Sequence, residues 1–63
     1  MLKEKTKNAP PQFYRNLIDI ISNENIEVDE GALWKLDPEN NILILVDEDQ
    51  YITSKLNSYF IND

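Results

Sequence analysis

The centre of the chain carries two apolar runs on either side of a five-residue turn sequence. The runs are 32–36 and 42–46, and the turn reads Asp-Pro-Glu-Asn-Asn from Asp37 to Asn41. Proline suits the second position of a type I turn, and asparagine tolerates the left-handed conformation of a following bulge. The pattern therefore predicts a β-hairpin with a three-residue loop over 38–40, in which Asn40 is the left-handed residue.

That loop length predicts which side chains of the hairpin share a face. It places Leu36 opposite Ile42 and Trp34 opposite Ile44, and side chains alternate between the two faces of a strand. Both faces are then rich in apolar residues, the pattern of strands that are covered on both sides. The face expected to form the core, with Trp34 at its centre, carries Ala32, Trp34, Leu36, Ile42, Ile44 and Val46. The opposite face, which we call the leucine face, carries Leu33, Lys35, Leu43 and Leu45.

The segments on either side of the hairpin show the spacing of one-sided helices. Apolar residues recur at i, i+4, i+7 and i+8 in each segment, which favours an α-helix. Pro11 suits the first helical position, and Asp47 with Gln50 resembles a capping box. A short strand over 26–29 and a tight turn at Gly31 are also expected. The repeating residues are Phe13, Leu17, Ile20 and Ile21 in the first segment and Ile52, Leu56, Tyr59 and Phe60 in the second.

The predicted fold class is therefore α+β. Two helices pack on a small antiparallel β-hairpin or three-stranded meander, in the order α-β-β-β-α with a short first strand. The chain of 63 residues leaves room for one domain, which we place at 10–63. A flexible basic N-terminal arm, 1–9, is expected to precede it. A domain of this size buries only roughly 60% of its unfolded surface, so the packing of its apolar faces decides its stability.

The composition excludes most chemistry that small domains perform. The chain has no cysteine and no histidine, which removes disulfides, thiolate chemistry and the commonest metal ligand. Asp37, Glu39, Asn41 and Glu48 have the spacing of calcium-loop ligands, but the sixth position, where that loop needs glycine, is Ile42. We therefore predict a non-enzymatic protein with no cofactor and no metal site.

The charge distribution points to a protein partner. The net charge is −6, and between Asp19 and Asp49 there are ten acidic residues and one basic residue, Lys35. Such a surface argues against direct nucleic-acid binding, and no apolar run approaches the roughly 20 residues of a membrane span. The residues predicted to bind a partner are the leucine face, Leu33, Lys35, Leu43 and Leu45, and the acidic residues Glu27, Asp29, Glu30, Glu39, Asp47, Glu48 and Asp49.

The expected function is that of an acidic protein–protein interaction module in the cytoplasm. It would bind a basic groove or an apolar sheet face of another protein. A narrower version is a phage- or plasmid-type inhibitor that mimics the charge of nucleic acid. Two alternatives are a homodimer that stacks leucine face on leucine face, and a winged-helix-like fragment of a larger nucleic-acid-binding protein. A third is that the arm, or one helix on each side of the sheet, covers the leucine face within the monomer.

Overall fold

The structure is a computed structural model that describes residues 11–46 and 48–63. These residues form strands, turns and loops and no helix, so the predicted α+β class is wrong and the described fold is all-β. The predicted arm over 1–9 and the predicted cap at Asp47 lie outside the described residues. The strands are β1 Phe13–Asn16, β2 Ile20–Ile21, β3 Glu27–Val28, β4 Leu33–Asp37, β5 Ile42–Leu45, β6 Thr53–Lys55 and β7 Phe60–Asn62.

Five of the strands form one antiparallel sheet in the order β6-β5-β4-β1-β7. The first strand of the chain therefore lies between the central hairpin and the last strand. Strands β2 and β3 pair with each other as a separate two-stranded ribbon, inserted between β1 and β4. No helix in the described ranges is long and apolar enough to cross a membrane.

The first predicted helix is replaced by β1, a bend at 17–18, and β2. Tyr14 pairs with Trp34 on one side and with Asn62 on the other, so β1 lies in the interior of the sheet. The segment contains aromatic and β-branched residues, which favour strands. A short amphipathic spacing does not by itself sustain a helix, because most helical stability in proteins comes from tertiary packing.

The second predicted helix is replaced by β6 and β7. The turn between them is organised by Asn57, whose Oδ1 accepts from the Tyr59 N–H at 2.9 Å and whose carbonyl accepts from the Phe60 N–H at 3.2 Å. Asparagine favours such local bonds over a helix interior. The apolar spacing from Ile52 to Phe60 therefore spans two strands rather than one helical face.

The central hairpin is confirmed as an antiparallel pair of strands, β4 and β5, but its predicted register is wrong by one residue. Asp37 pairs with Ile42, and Leu36 pairs with Leu43. The loop has four residues, 38–41, and the left-handed residue is Asn41, with φ 58°, rather than Asn40. The Asp37 carboxylate holds this loop by accepting from the Glu39 N–H and from the Asn40 side chain.

A one-residue change of register transfers every side chain of a strand to the other face. Leu43 and Leu45 therefore lie on the same face as Trp34, and the predicted leucine face does not form. Ile42 and Ile44 lie instead on the face of Lys35, which we call the outer face. The remaining local expectations are confirmed: β3 forms within 26–29, and Gly31 makes a turn with φ 83°.

The core lies between the inner face of the sheet and the β2–β3 ribbon. Trp34 and Leu43 are fully buried, which confirms Trp34 as the central core residue. The Trp34 ring meets the Phe60 ring edge to face, with the ring centroids 5.5 Å apart. Val28, on the inner side of the ribbon, and Ile52, next to β6, complete the buried cluster. Partly buried residues pack around it: Tyr14, Ile20, Ile26, Ala32, Leu36 and Leu45.

A buried amide at the end of β1 joins the sheet to the ribbon. The Asn16 side chain is 2% exposed. Its Oδ1 accepts from the Trp34 Nε1–H at 3.1 Å and from the Ala32 backbone N–H at 3.0 Å. Its Nδ2 donates to the carbonyls of Ile18 and Asp29, each at 2.9 Å. One side chain therefore pairs with three backbone groups and the indole N–H, which belong to four residues.

The outer edge of β6 is covered by the turn between β2 and β3. The Glu24 carboxylate accepts from the Thr53 backbone N–H at 2.7 Å and from the Thr53 hydroxyl at 2.6 Å. The Asn23 N–H donates to the Thr53 carbonyl at 2.8 Å. An exposed strand edge can pair with strands of other chains. These bonds occupy the backbone N–H and carbonyl of Thr53, so the edge of β6 is not free to pair at this residue.

Replacing Asn16 by alanine should destabilise the protein more than any substitution of an exposed asparagine. Asn16→Ala leaves the buried Trp34 indole N–H without an acceptor, at about 1–3 kcal/mol, and also the partly buried Ala32 N–H. Asn62→Ala is the matched control, because it removes one exposed bond to the Phe13 carbonyl and should cost about 1 kcal/mol or less. Urea denaturation of both variants measures the difference. Equal losses in the two variants would contradict the role of Asn16.

The contact between Glu24 and Thr53 should make stability depend on pH in the acid range. Hydrogen bonds, first from the Thr53 hydroxyl and then from its N–H, lower the pKa of Glu24 below its ordinary value. The contribution of Glu24 is therefore complete above the ordinary carboxyl pKa and is lost as the pH falls through the lowered value. Glu24→Gln should destabilise the protein at neutral pH, and the difference should shrink in acid. A thermal melting series over pH, with Glu39→Gln as control, tests this; a pH-independent difference would refute it.

Candidate functional site

A groove of about 610 Å³ lies where the turn after β3 faces the ends of β4 and β5. Its lining combines an apolar floor with acidic side chains, and Arg15 also borders it. We call it the acid-rimmed groove. We call its apolar lining residues the floor: Ile26, Val28, Ala32, Leu33, Leu45, Val46 and Ile52. We call its acidic lining residues the rim: Glu27, Asp29, Glu30 and Glu48.

The wall of the groove over 29–31 is held from three sides. Asn16 receives the Ala32 N–H and donates to the Asp29 carbonyl, as described above. The Asp19 carboxylate accepts from the Glu30 N–H at 2.8 Å, and the Arg15 guanidinium donates to the Gly31 carbonyl at 2.8 Å. The groove is therefore formed in the free protein, and a ligand does not have to order this wall.

The left-handed backbone at Gly31 is what turns this wall. Its φ of 83° is strained for residues with a Cβ, although no other group lies within 4 Å of the place a Cβ would take. Glycine is therefore favoured there by the backbone conformation and not by crowding. The turn joins β3 to β4, and residues of both strands line the groove.

The electrostatic character of the groove is negative. Four carboxylates stand on its rim, and the Arg15 guanidinium is paired with Asp63, Nε to Oδ1, at 2.9 Å. At one side of the rim, carboxylate oxygens of Asp19, Glu27 and Asp29 lie within 4.8 Å of one another. We call these three residues the carboxylate trio. Like charges at such distances repel, so a cation that approaches the trio is favoured.

The trio is not assigned as a metal site. All three carboxylates are exposed, and exposed acidic groups commonly lie together without an ion. A lysine ammonium or an arginine guanidinium from another molecule would offset the negative charge of the trio equally well. The groove as a whole therefore combines exposed negative charge with apolar lining residues.

The structure brings together some of the residues predicted to bind a partner and separates others. Leu43 is fully buried in the core. Lys35 is exposed on the outer face, and Glu39 is exposed in the hairpin turn at the far end of β4. Asp49 is exposed but does not line the groove, and Asp47 lies outside the described residues. The predicted residues that meet at the groove are Glu27, Asp29, Glu30, Leu33, Leu45 and Glu48.

Sequence reasoning did not place the rest of the floor or Asp19 at this site. The alternation of Ile26, Glu27, Val28 and Asp29 was a usable signal, because it puts apolar and acidic side chains on opposite sides of one strand. Ile52 carried no such signal, since it reaches the groove only through the pairing of β5 with β6.

The outer face of the sheet is also partly apolar, with different members from those predicted. Ile42, Ile44 and Val46 lie there beside Leu33, and all four are half-buried. An apolar second face is therefore present, although its composition follows the observed register.

Comparison with protein-family models, with curated proteins and with solved structures finds no match to this chain.

Proposed function

We propose that this chain is a non-enzymatic interaction module that binds a basic, partly apolar segment of another protein in the acid-rimmed groove. The observation that supports the proposal is the meeting of an apolar floor and four carboxylates around one groove whose wall is already fixed. The floor would bury apolar side chains, each worth up to about 1.5–3 kcal/mol on full burial. The rim would select lysine and arginine and would speed association with a basic partner.

The residues at the groove support binding better than catalysis. The chain contains no histidine or cysteine that could act as a base or a nucleophile. A carboxyl group serves as an acid near neutral pH when its surroundings exclude water, and the rim carboxylates are exposed. A groove of this kind can hold a cationic segment without reacting with it.

The position of the acidic residues favours a localised site over an extended row of charges. Glu24 is bonded to Thr53, and Glu39 lies in the hairpin turn, away from the rim. Four exposed carboxylates therefore meet at the groove, whereas Glu39 and Asp49 are exposed away from it. An inhibitor of a nucleic-acid-handling protein, acting in the cytoplasm, is a narrower proposal of the same kind, because a basic segment of such a protein would fit the rim. The winged-helix-like alternative is wrong, because both segments that were predicted to form its helices form strands.

A homodimer is the second candidate, and the half-buried aliphatic residues of the outer face favour it. Ile42, Ile44 and Val46 would be covered if two sheets stacked on each other. This candidate adds Ile42 and Ile44, which do not line the groove, and shares Val46 and Leu33 with it. Sedimentation with and without a basic peptide separates the two.

The groove proposal predicts that removing a rim charge weakens the binding of a basic peptide more than removing a distant one. The probe is a short peptide of alternating lysine and leucine with blocked ends, titrated calorimetrically at low salt. Glu27→Gln should weaken binding about 1.5- to 5-fold, the range of one exposed ion pair. Glu39→Gln changes the net charge equally and should have little effect. Binding should also weaken as salt shortens the Debye length from about 10 Å towards 3 Å.

Two results would contradict the proposal. Equal losses in Glu27→Gln and Glu39→Gln would mean that net charge alone attracts the peptide. Failure of the lysine–leucine peptide to bind, or equal binding of a glutamate–leucine peptide, would exclude the groove as a receptor for basic segments.

A further inference from the structure

A second recess lies on the other side of the carboxylate trio. It has a volume of about 330 Å³ and lies between β2 and the loop that joins β6 to β7. Its apolar lining includes Ile18, Ile21 and Tyr59, which are 46%, 60% and 52% exposed. A recess lined by large apolar side chains that are exposed can accept an apolar side chain of another molecule.

The recess and the acid-rimmed groove meet at one residue. Asp19 lines the recess. Its carboxylate also lies within 4.8 Å of those of Glu27 and Asp29, which stand on the rim of the groove. The bond from the Glu30 N–H to the Asp19 carboxylate fixes this junction. The trio therefore stands between two places that can each receive an apolar side chain.

We propose that the recess is a second subsite for the segment that the groove binds, which rests on the proposed function. The partner segment would place a lysine or arginine at the trio and a large aliphatic or aromatic side chain in the recess. Because Asp19 borders both places, the two partner residues would be close in sequence. An extended chain advances about 3.3 Å per residue, so a separation of about one to three residues is expected.

Charge complementarity selects this occupant over a second copy of the chain. The net charge of the protein is −6, and the trio would repel the acidic surface of another copy. A basic segment relieves that repulsion while its apolar side chain covers Ile18, Ile21 and Tyr59. The specificity expected is therefore for a basic residue with a nearby large apolar residue, and not for positive charge alone.

The test uses pairs of blocked peptides on the intact protein. Each peptide carries several lysines in a glycine–serine background, and one position, about one to three residues from the central lysine, holds leucine or serine. For at least one spacing, the leucine peptide should bind about tenfold tighter than its serine partner. Ile21→Ser should abolish that advantage and leave the serine peptide unchanged. Ile61→Ser is the control, because Ile61 is 53% exposed and does not line the recess.

The outcomes separate this inference from the function on which it rests. If lysine peptides bind and Glu27→Gln weakens them, but leucine gives no advantage at any spacing, the recess is not a subsite and the groove proposal stands. If Ile21→Ser and Ile61→Ser reduce the leucine advantage equally, the recess is again not a subsite. If no lysine peptide binds, the groove proposal fails first. Self-association that Ile21→Ser abolishes would assign the recess to a second copy and would overturn the inference.

If the circular dichroism spectrum of Ile21→Ser shows that this variant does not fold, Tyr59→Ser provides the same test.

Discussion

The buried side chain of Asn16 is the interaction on which the rest of this structure depends. Its oxygen accepts from the indole at the centre of the core, and its nitrogen holds the carbonyl of Asp29 in the wall of the groove. A buried amide is costly unless its groups are paired, and no buried side-chain nitrogen or oxygen in the described residues lacks a partner. The same residue therefore couples the packing of the core to the shape of the site.

The ribbon of β2 and β3 serves both the core and the binding surface. Its inner side chain Val28 is buried against the sheet, and its outer side chain Glu27 stands on the rim. Its turn covers the edge of β6 through Glu24 and Asn23. A short excursion between β1 and β4 thus closes the core, protects an edge and supplies three of the four carboxylates on the rim of the groove.

Local signals in the sequence identified the hairpin strands, the short strand β3, the turn at Gly31 and the central position of Trp34. They failed for the segments around Phe13–Ile21 and Ile52–Phe60, where apolar spacing suited a helix. Instead, β1 pairs with β4 and β7, β2 pairs with β3, and β6 pairs with β5. The hairpin register was missed by one residue because Asn40 and Asn41 are both able to take the left-handed conformation, and the structure uses Asn41. That single step exchanged the faces of Leu43 and Ile44.

For the candidate site, the sequence indicated the acidic residues, from which we predicted a basic partner, but not their arrangement. A sequence shows where acidic residues outnumber basic ones, and so Glu27, Asp29, Glu30 and Glu48 could be predicted as partner-binding residues. The floor could not, because Val28, Leu45 and Ile52 come together only through strand pairing. In the sequence, Asp19 is one of ten acidic residues between 19 and 49. In the structure, it lines the recess, and its carboxylate accepts from the N–H of Glu30, which is on the rim of the groove.

The central claim is that one preformed, acid-rimmed groove, and not the overall negative charge, recognises a basic segment. Mapping amide chemical-shift changes by NMR, while the lysine–leucine peptide is added, tests this claim most directly. The account predicts changes concentrated over 26–33 and at Leu45, Glu48 and Ile52, with little change in the hairpin turn around Glu39. Changes distributed evenly over all acidic positions, or the absence of any change, would contradict it.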